Sequence, residues 1–284
     1  MRLDGVQFIQ KKMFVSNMAR RFAGMVAAAI IACVSASCSR TAQDADGSRG
    51  LIVGMELAYP PFEMQDPQGN PTGVSPDMAR ALGEYLHEPV TIENIPFSGL
   101  IPALQTDKID LVISSMTATP ERAESIDFSD PYVNTGLCLL VKKASPIEGI
   151  ADLDRPGMTV VVKQGTTGQT YARDNIKNAQ VLVLDKENAC VMEITEGKAD
   201  AFIYDQMSTY TNWKNNPDKT RPLLKPFQAE SWAIGIKQGN TALRDKVNAF
   251  LKDYRARGGF DQLGDRYLSE QKAAFKAMNV PFVF

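Results

Sequence analysis

The chain has 284 residues, 44% of them hydrophobic and 23% charged, with a formal net charge of −2. That length gives room for two modest lobes or one large α/β unit, and the lack of a basic stripe argues against a nucleic-acid partner. His87 is the single histidine and there is no CxxC pair. Histidine-based metal sites and Ser-His-Asp or Cys-His catalysis are therefore not expected, and neither is any cofactor. The first element is a leader. Arg20-Arg21 precede an apolar stretch over residues 22–34, the pattern of a positive n-region and a short h-region of an export signal. The stretch is shorter than the roughly 20 residues of a transmembrane helix. Met18 heads a more compact version of the same leader.

Small residues lead into a cysteine twice, at Cys33 and at Cys38. Either run resembles a bacterial lipoprotein cleavage box, in which the cysteine is lipidated and becomes the mature N-terminus. Cys38 is the preferred site and Cys33 the alternative; an ordinary cleaved signal is the plain reading. Residues 39–49 are small and polar, a flexible tether. Cys138 and Cys190 remain; they read as small buried hydrophobes, with a disulfide as the alternative.

Beyond residue 50, apolar runs alternate with helical periodicity. Strands are predicted over residues 51–55, 90–95 and 111–113. Helices are predicted over 77–86, with Met78, Ala81, Leu82 and Tyr85 on one face, and over 99–107. A second α/β unit begins near Thr135. Its strands are predicted over 136–141, 159–162, 181–184 and 201–203, and its helices over 150–153, through Tyr171 and Ile176, and over 188–196. Residues 231–236 read as a further strand and 244–255 as a strongly amphipathic helix. The β-α-β order predicts largely parallel sheets covered by helices, with ligands at the carboxyl ends of the strands.

Those ends carry the chemistry. Ser114, Ser115, Met116 and Thr117 follow a buried strand, and Arg122 follows them. Hydroxyls, free backbone N–H groups and a guanidinium fork together suit a carboxylate; a Ser/Thr helix cap with a surface arginine is the bland alternative. The Gly-rich turn with Thr166 and Thr167 follows the strand predicted over 159–162 and opens a helix. That turn lets an anion approach the backbone, but it lacks the Gly-Lys-Ser/Thr of a P-loop. Tyr204 and Asp205 end the strand at 201–203, and Asp205 can meet an ammonium group or cap a helix. Tyr59 and Phe97 can wall a pocket or fill core. Taken together the set fits a free α-amino acid.

The quoted segments Tyr59-Pro60-Pro61-Phe62-Glu63, residues 97–104, Ser115-Met116-Thr117 with Arg122, residues 126–132 and Lys163-Gln164-Gly165-Thr166-Thr167, with the strand ending in Asp205, occur in order. In this the sequence closely resembles the polar amino-acid branch (family 3) of the periplasmic solute-binding proteins of ABC transporters, over about residues 50 to 270. The resemblance implies an α/β, two-lobed type II periplasmic-binding-protein-like fold with two crossover hinge strands. Residues 50–133 and 234–284 would form lobe 1, residues 137–230 lobe 2, and residues 1–38 the leader. It implies that Arg122 grips the ligand's α-carboxylate with Ser115, Thr117 and Thr167, that Asp205 takes the α-ammonium, and that Tyr59 and Phe97 sandwich the side chain. Glu56 and Lys163 fall where family members read the distal end. One departure stands out: Gly73-Val74-Ser75-Pro76-Asp77 replaces the family's usual Gly-Phe-Asp-x-Asp, at a position expected to serve packing.

An acidic Glu56 with a basic Lys163 points to a polar uncharged ligand, glutamine first, unless the two pair with each other; a basic amino acid is the alternative. The implied partners are an L-amino acid and the permease subunits of an ABC importer. The implied location is the periplasm or cell surface, as a monomer touching the membrane only through an N-terminal lipid. Competing readings are a cyclohexadienyl-dehydratase-like enzyme on the same fold, with Glu56 as general acid, and the sensing module of a receptor.

Overall fold

The computed structural model describes residues 49–282. The leader, the tether and both lipidation candidates, Cys33 and Cys38, lie outside the described residues.

In chain order the elements begin with β1 (Leu51–Met55), β2 (Met64–Gln65), β3 (Pro71–Thr72), α1 (Val74–Leu86), β4 (Val90–Asn94), α2 (Leu100–Gln105), β5 (Leu111–Val112), α3 (Pro120–Ala123) and β6 (Ile126–Phe128). There follow β7 (Val133–Lys142), β8 (Thr159–Lys163), α4 (Thr167–Asn175), β9 (Gln180–Leu184), α5 (Glu187–Thr195), β10 (Ala201–Asp205), α6 (Gln206–Asn215) and β11 (Thr220–Trp232). The chain closes with β12 (Gly235–Lys237), α7 (Thr241–Ala256), α8 (Gly259–Tyr267) and α9 (Ser269–Ala277). Two five-stranded sheets result, ordered β4-β1-β5-β12-β6 and β11-β7-β10-β8-β9, with a small β2-β3 hairpin. The fold is α/β and two-lobed.

Strand periodicity explains the layers. Along β8, Val160 and Val162 enter one apolar cluster while Val161 enters another, so both faces of the second sheet are covered. Along β1, Leu51, Val53 and Met55 face the cluster built with α1, α7 and α8, and Ile52 turns to the one beneath α2. β1 pairs in parallel with β4 and β5, and β8 with β9 and β10. Parallel strands covered on both faces are expected to be near-continuous apolar runs, as β1, β8 and β10 are, whereas the edge strand β4 alternates with polar residues.

Three expectations are corrected. The helix predicted from residue 77 begins at Val74, with Gly73 as its N-cap at φ 117. A Cβ at Gly73 would meet the carbonyl oxygens of Pro61 and Phe62 at 2.7 and 2.5 Å, so the close approach requires glycine. On that helix Ala79 rather than Ala81 is fully buried, and Tyr85 stays 38% exposed at the flank, edge-on to Phe250. The single strand predicted over 231–236 is two. β11 runs antiparallel to β7 in the second sheet, and the chain then passes Ala233-Ile234 to place β12 in the first. β11 escaped notice because Pro222 and Pro226 interrupt it; its position at the sheet edge, with a register shift between Leu223 and Gln228, is where proline is tolerated. Cys138 and Cys190 are free and buried, and burial raises both thiols, Cys190 to about 12.

Candidate ligand-binding site

A cleft between the sheets is lined by Glu56, Tyr59, Phe97, Ser114, Ser115, Thr117, Arg122, Lys163, Thr166, Thr167, Tyr204 and Asp205. All twelve are sequence candidates. Met116 is not among them. It alternates away from its neighbours, and its side chain is 1% exposed inside the apolar cluster under α2, so it is core and not lining. The cleft has room for a few waters.

Asp205 is both things its sequence position allowed. It is the N-cap of α6, and Oδ1 accepts the N–H groups of Met207 and Ser208 at 2.9 and 3.0 Å. Tyr59 donates its hydroxyl to the same oxygen at 2.7 Å, across the two lobes. All three donors reach Oδ1, which leaves Oδ2 to a donor from the cavity. Burial raises this carboxyl to about 6 despite those bonds. Tyr59 is itself wedged among Phe62, Tyr204 and Trp232.

Arg122 does not pair with Asp205. Its Nη1 donates to the Thr117 carbonyl at 2.6 Å and its Nη2 to the Gly165 carbonyl, on the other lobe, at 2.9 Å. Its guanidinium also lies 5.5 Å from the Phe97 ring centre. Gly165 has φ 77, and a Cβ there would sit 3.1 Å from Ser98 Cα. A left-handed backbone and a close approach between lobes therefore meet at one glycine. Thr117 donates its hydroxyl to Glu230 at 3.0 Å, Thr166 donates to the Lys163 carbonyl at 2.7 Å, and Ser114 accepts the Glu56 N–H at 3.0 Å.

Glu56 and Lys163 form an ion pair across the cleft, with side-chain exposures of 12% and 2%. The sequence left that pairing open, and it matters: each charge compensates the other. Four more residues line the cleft, Glu63, Leu137, Glu230 and Trp232. Leu137 and Trp232 come from the paired strands β7 and β11 that link the lobes. Only Glu63 stood inside a quoted motif, and without a role.

The model of the bacterial extracellular solute-binding proteins, family 3, matches residues 51–270. The chain belongs to this family. The L-arginine-binding protein of Pseudomonas aeruginosa is 31% identical to this family 3 protein over 226 residues, 76% of this chain and 87% of the relative. An ancestral arginine-binding protein, solved bound to arginine and bound to glutamine, superposes with TM-score 0.71 at 32% identity, covering 77% of this chain and 97% of that one. An ancestral amino acid-binding protein described as a precursor of cyclohexadienyl dehydratase superposes with TM-score 0.71 at 33% identity, covering 76% of this chain and 94% of the other. The type II periplasmic-binding-protein fold implied by the sequence is the fold of these neighbours.

Proposed function

We propose that this family 3 protein captures a free L-amino acid with a polar, uncharged side chain, glutamine first among them, outside the cytoplasmic membrane and delivers it to an ABC importer. The observation that carries the reading is the buried Glu56–Lys163 pair beside Arg122 and Asp205. An α-carboxylate suits the guanidinium fork, and an α-ammonium suits Asp205 Oδ2. The side chain then meets a neutralised ion pair. A carboxamide can accept from Lys163 and donate to Glu56 without burying net charge, whereas a charged group must compete with one of the two. In this reading the protein acts as a monomer, lipidated at Cys38 or Cys33.

A second reading, a basic amino acid, rests on the charge balance of the lining. Glu56, Asp205 and Glu230 face Arg122 and Lys163, and a cationic side chain would reduce that excess. The dehydratase reading has less support: Glu56, its candidate acid, is already engaged by Lys163.

A thermal-shift screen of refolded, ligand-stripped protein starting at Arg49 against all twenty L-amino acids tests this, with prephenate turnover assayed alongside. A ligand at 100 times its Kd should add about 2.7 kcal/mol. A large shift with glutamine is expected. A larger shift with arginine favours the second reading, and no shift with any amino acid removes the binder reading.

A further inference from the structure

Glu63 is fully buried and lines the cleft. It is set by the tight turn in which its N–H bonds the Tyr59 carbonyl at 2.9 Å. Among the described residues no lysine or arginine forms an ion pair with it. Hydroxyls surround it instead. Ser115 Oγ donates to its two oxygens at 2.9 and 3.1 Å, and Ser75 Oγ donates to Oε1. The buried Tyr132 hydroxyl sits beside Ser75 and Ser115, near enough to feel the charge of Glu63. The nearby charges are Lys163 and Glu56, already paired with each other. Ser75 is one of two residues, with Val74, at which this chain departs from the usual family motif, and its hydroxyl bonds Glu63 as well as filling the packing.

What Glu63 holds is the strained point of the site. Ser115 has φ 49, a left-handed conformation that costs a non-glycine residue about 1 kcal/mol. It sits between Ser114, which accepts from the Glu56 backbone, and Thr117, whose carbonyl anchors Arg122. Strain of this kind persists only where the surroundings over-determine it.

We propose that Glu63 is the positioning residue of the cleft: it pins Ser115 in its left-handed conformation from behind, and so sets the geometry in which the 114–117 segment and Arg122 receive the ligand's carboxylate. This rests on the amino-acid reading above. Burial raises Glu63 to about 8, so at neutral pH it is held as an uncharged acid among the hydroxyls of Ser75 and Ser115. Ionised, it sets a negative charge beside the carboxylate site. Binding therefore weakens as pH rises through about 8.

The test is calorimetric titration of the full chain with glutamine and with arginine from about pH 6.5 to about pH 9.5, for wild type, Glu63→Gln and Glu63→Ala. The ligand's own ammonium titrates equally for all three, so the ratio of affinities is decisive. Glu63→Gln, which cannot ionise, should bind within about threefold of wild type at neutral pH and gain on it by about tenfold at the alkaline end; Glu63→Ala should be weaker by about tenfold even at pH 6.5. A merely structural Glu63 would lower Tm in both variants and leave the Gln-to-wild-type ratio constant with pH, which overturns the proposal. So does an alanine variant that binds like wild type. Wild type that binds no amino acid removes the ligand reading and this one with it; wild type that binds, with a constant ratio, removes this one alone.

Discussion

Lys163 ends β8 on the second sheet and reaches across the cleft to Glu56, which follows β1 on the first. Its side chain is 2% exposed, so its charge is carried by Glu56 and not by water. Removing one partner of such a pair leaves the other uncompensated, at a cost of about 3–5 kcal/mol when fully buried, and less here because Glu56 keeps some solvent contact. Lys163→Met should therefore weaken glutamine binding and hand Glu56 to a cationic ligand, shifting the arginine-to-glutamine affinity ratio by about tenfold or more toward arginine. Competition binding with both ligands reads it, and an unchanged ratio would show that the pair does not select the ligand. Both residues were legible through the family resemblance, which places them where members read the distal end of the ligand. Their pairing was not, since it joins positions 107 residues apart. Glu63 was still less visible. A glutamate after two prolines reads as a surface turn, and only the packing of Ser75, Ser115 and Tyr132 around it makes it a buried acid.

At the scale of elements, α9 ties the two lobes on their helical side. Phe275 is fully buried and meets Tyr210 of α6 edge-on at 5.3 Å, while Lys214 of α6 pairs with Glu270 of α9. α6 is the helix that Asp205 caps, so the same helix carries a cleft residue at one end and the α9 contact on its flank. Phe275→Ala should cost about 3–5 kcal/mol in denaturant unfolding; a loss below about 1 kcal/mol would mean that α9 is not part of the core. The amphipathic α7 could be read from its period, since Val247, Phe250 and Leu251 are buried as expected. α6 could not, because its buried turns are Gln206, Met207, Ser208, Thr209 and Tyr210, a mostly polar set with no apolar stripe. Ser208 donates to Glu187, an interaction periodicity does not report.

For the whole molecule the decisive electrostatic fact is that three carboxyls near the cleft are raised by burial: Glu63 to about 8, Glu187 to about 7 and Asp205 to about 6. Each binds its proton more tightly folded than unfolded, where carboxyls titrate near 4. The stability they confer is thus fully present below about pH 4 and is lost as pH rises through about 6, 7 and 8 in turn. The ligand-free protein should melt at a higher temperature at about pH 5.5 than at about pH 8.5. A flat or rising Tm across that interval would contradict the burial of these groups. A bound ammonium beside Asp205 favours its ionised form, so the ligand should flatten the dependence.

β12 sits between β5 and β6, inside the first sheet, although the whole second sheet separates it from both along the chain. During synthesis β6 therefore emerges with its sheet neighbour still unmade, and the first sheet stays divided until the chain has passed Lys237. The second sheet is complete once β11 has appeared. The half of the molecule that begins first is the half that finishes last, and until β12 arrives the unfilled slot beside β5 leaves strand edges open to mispairing.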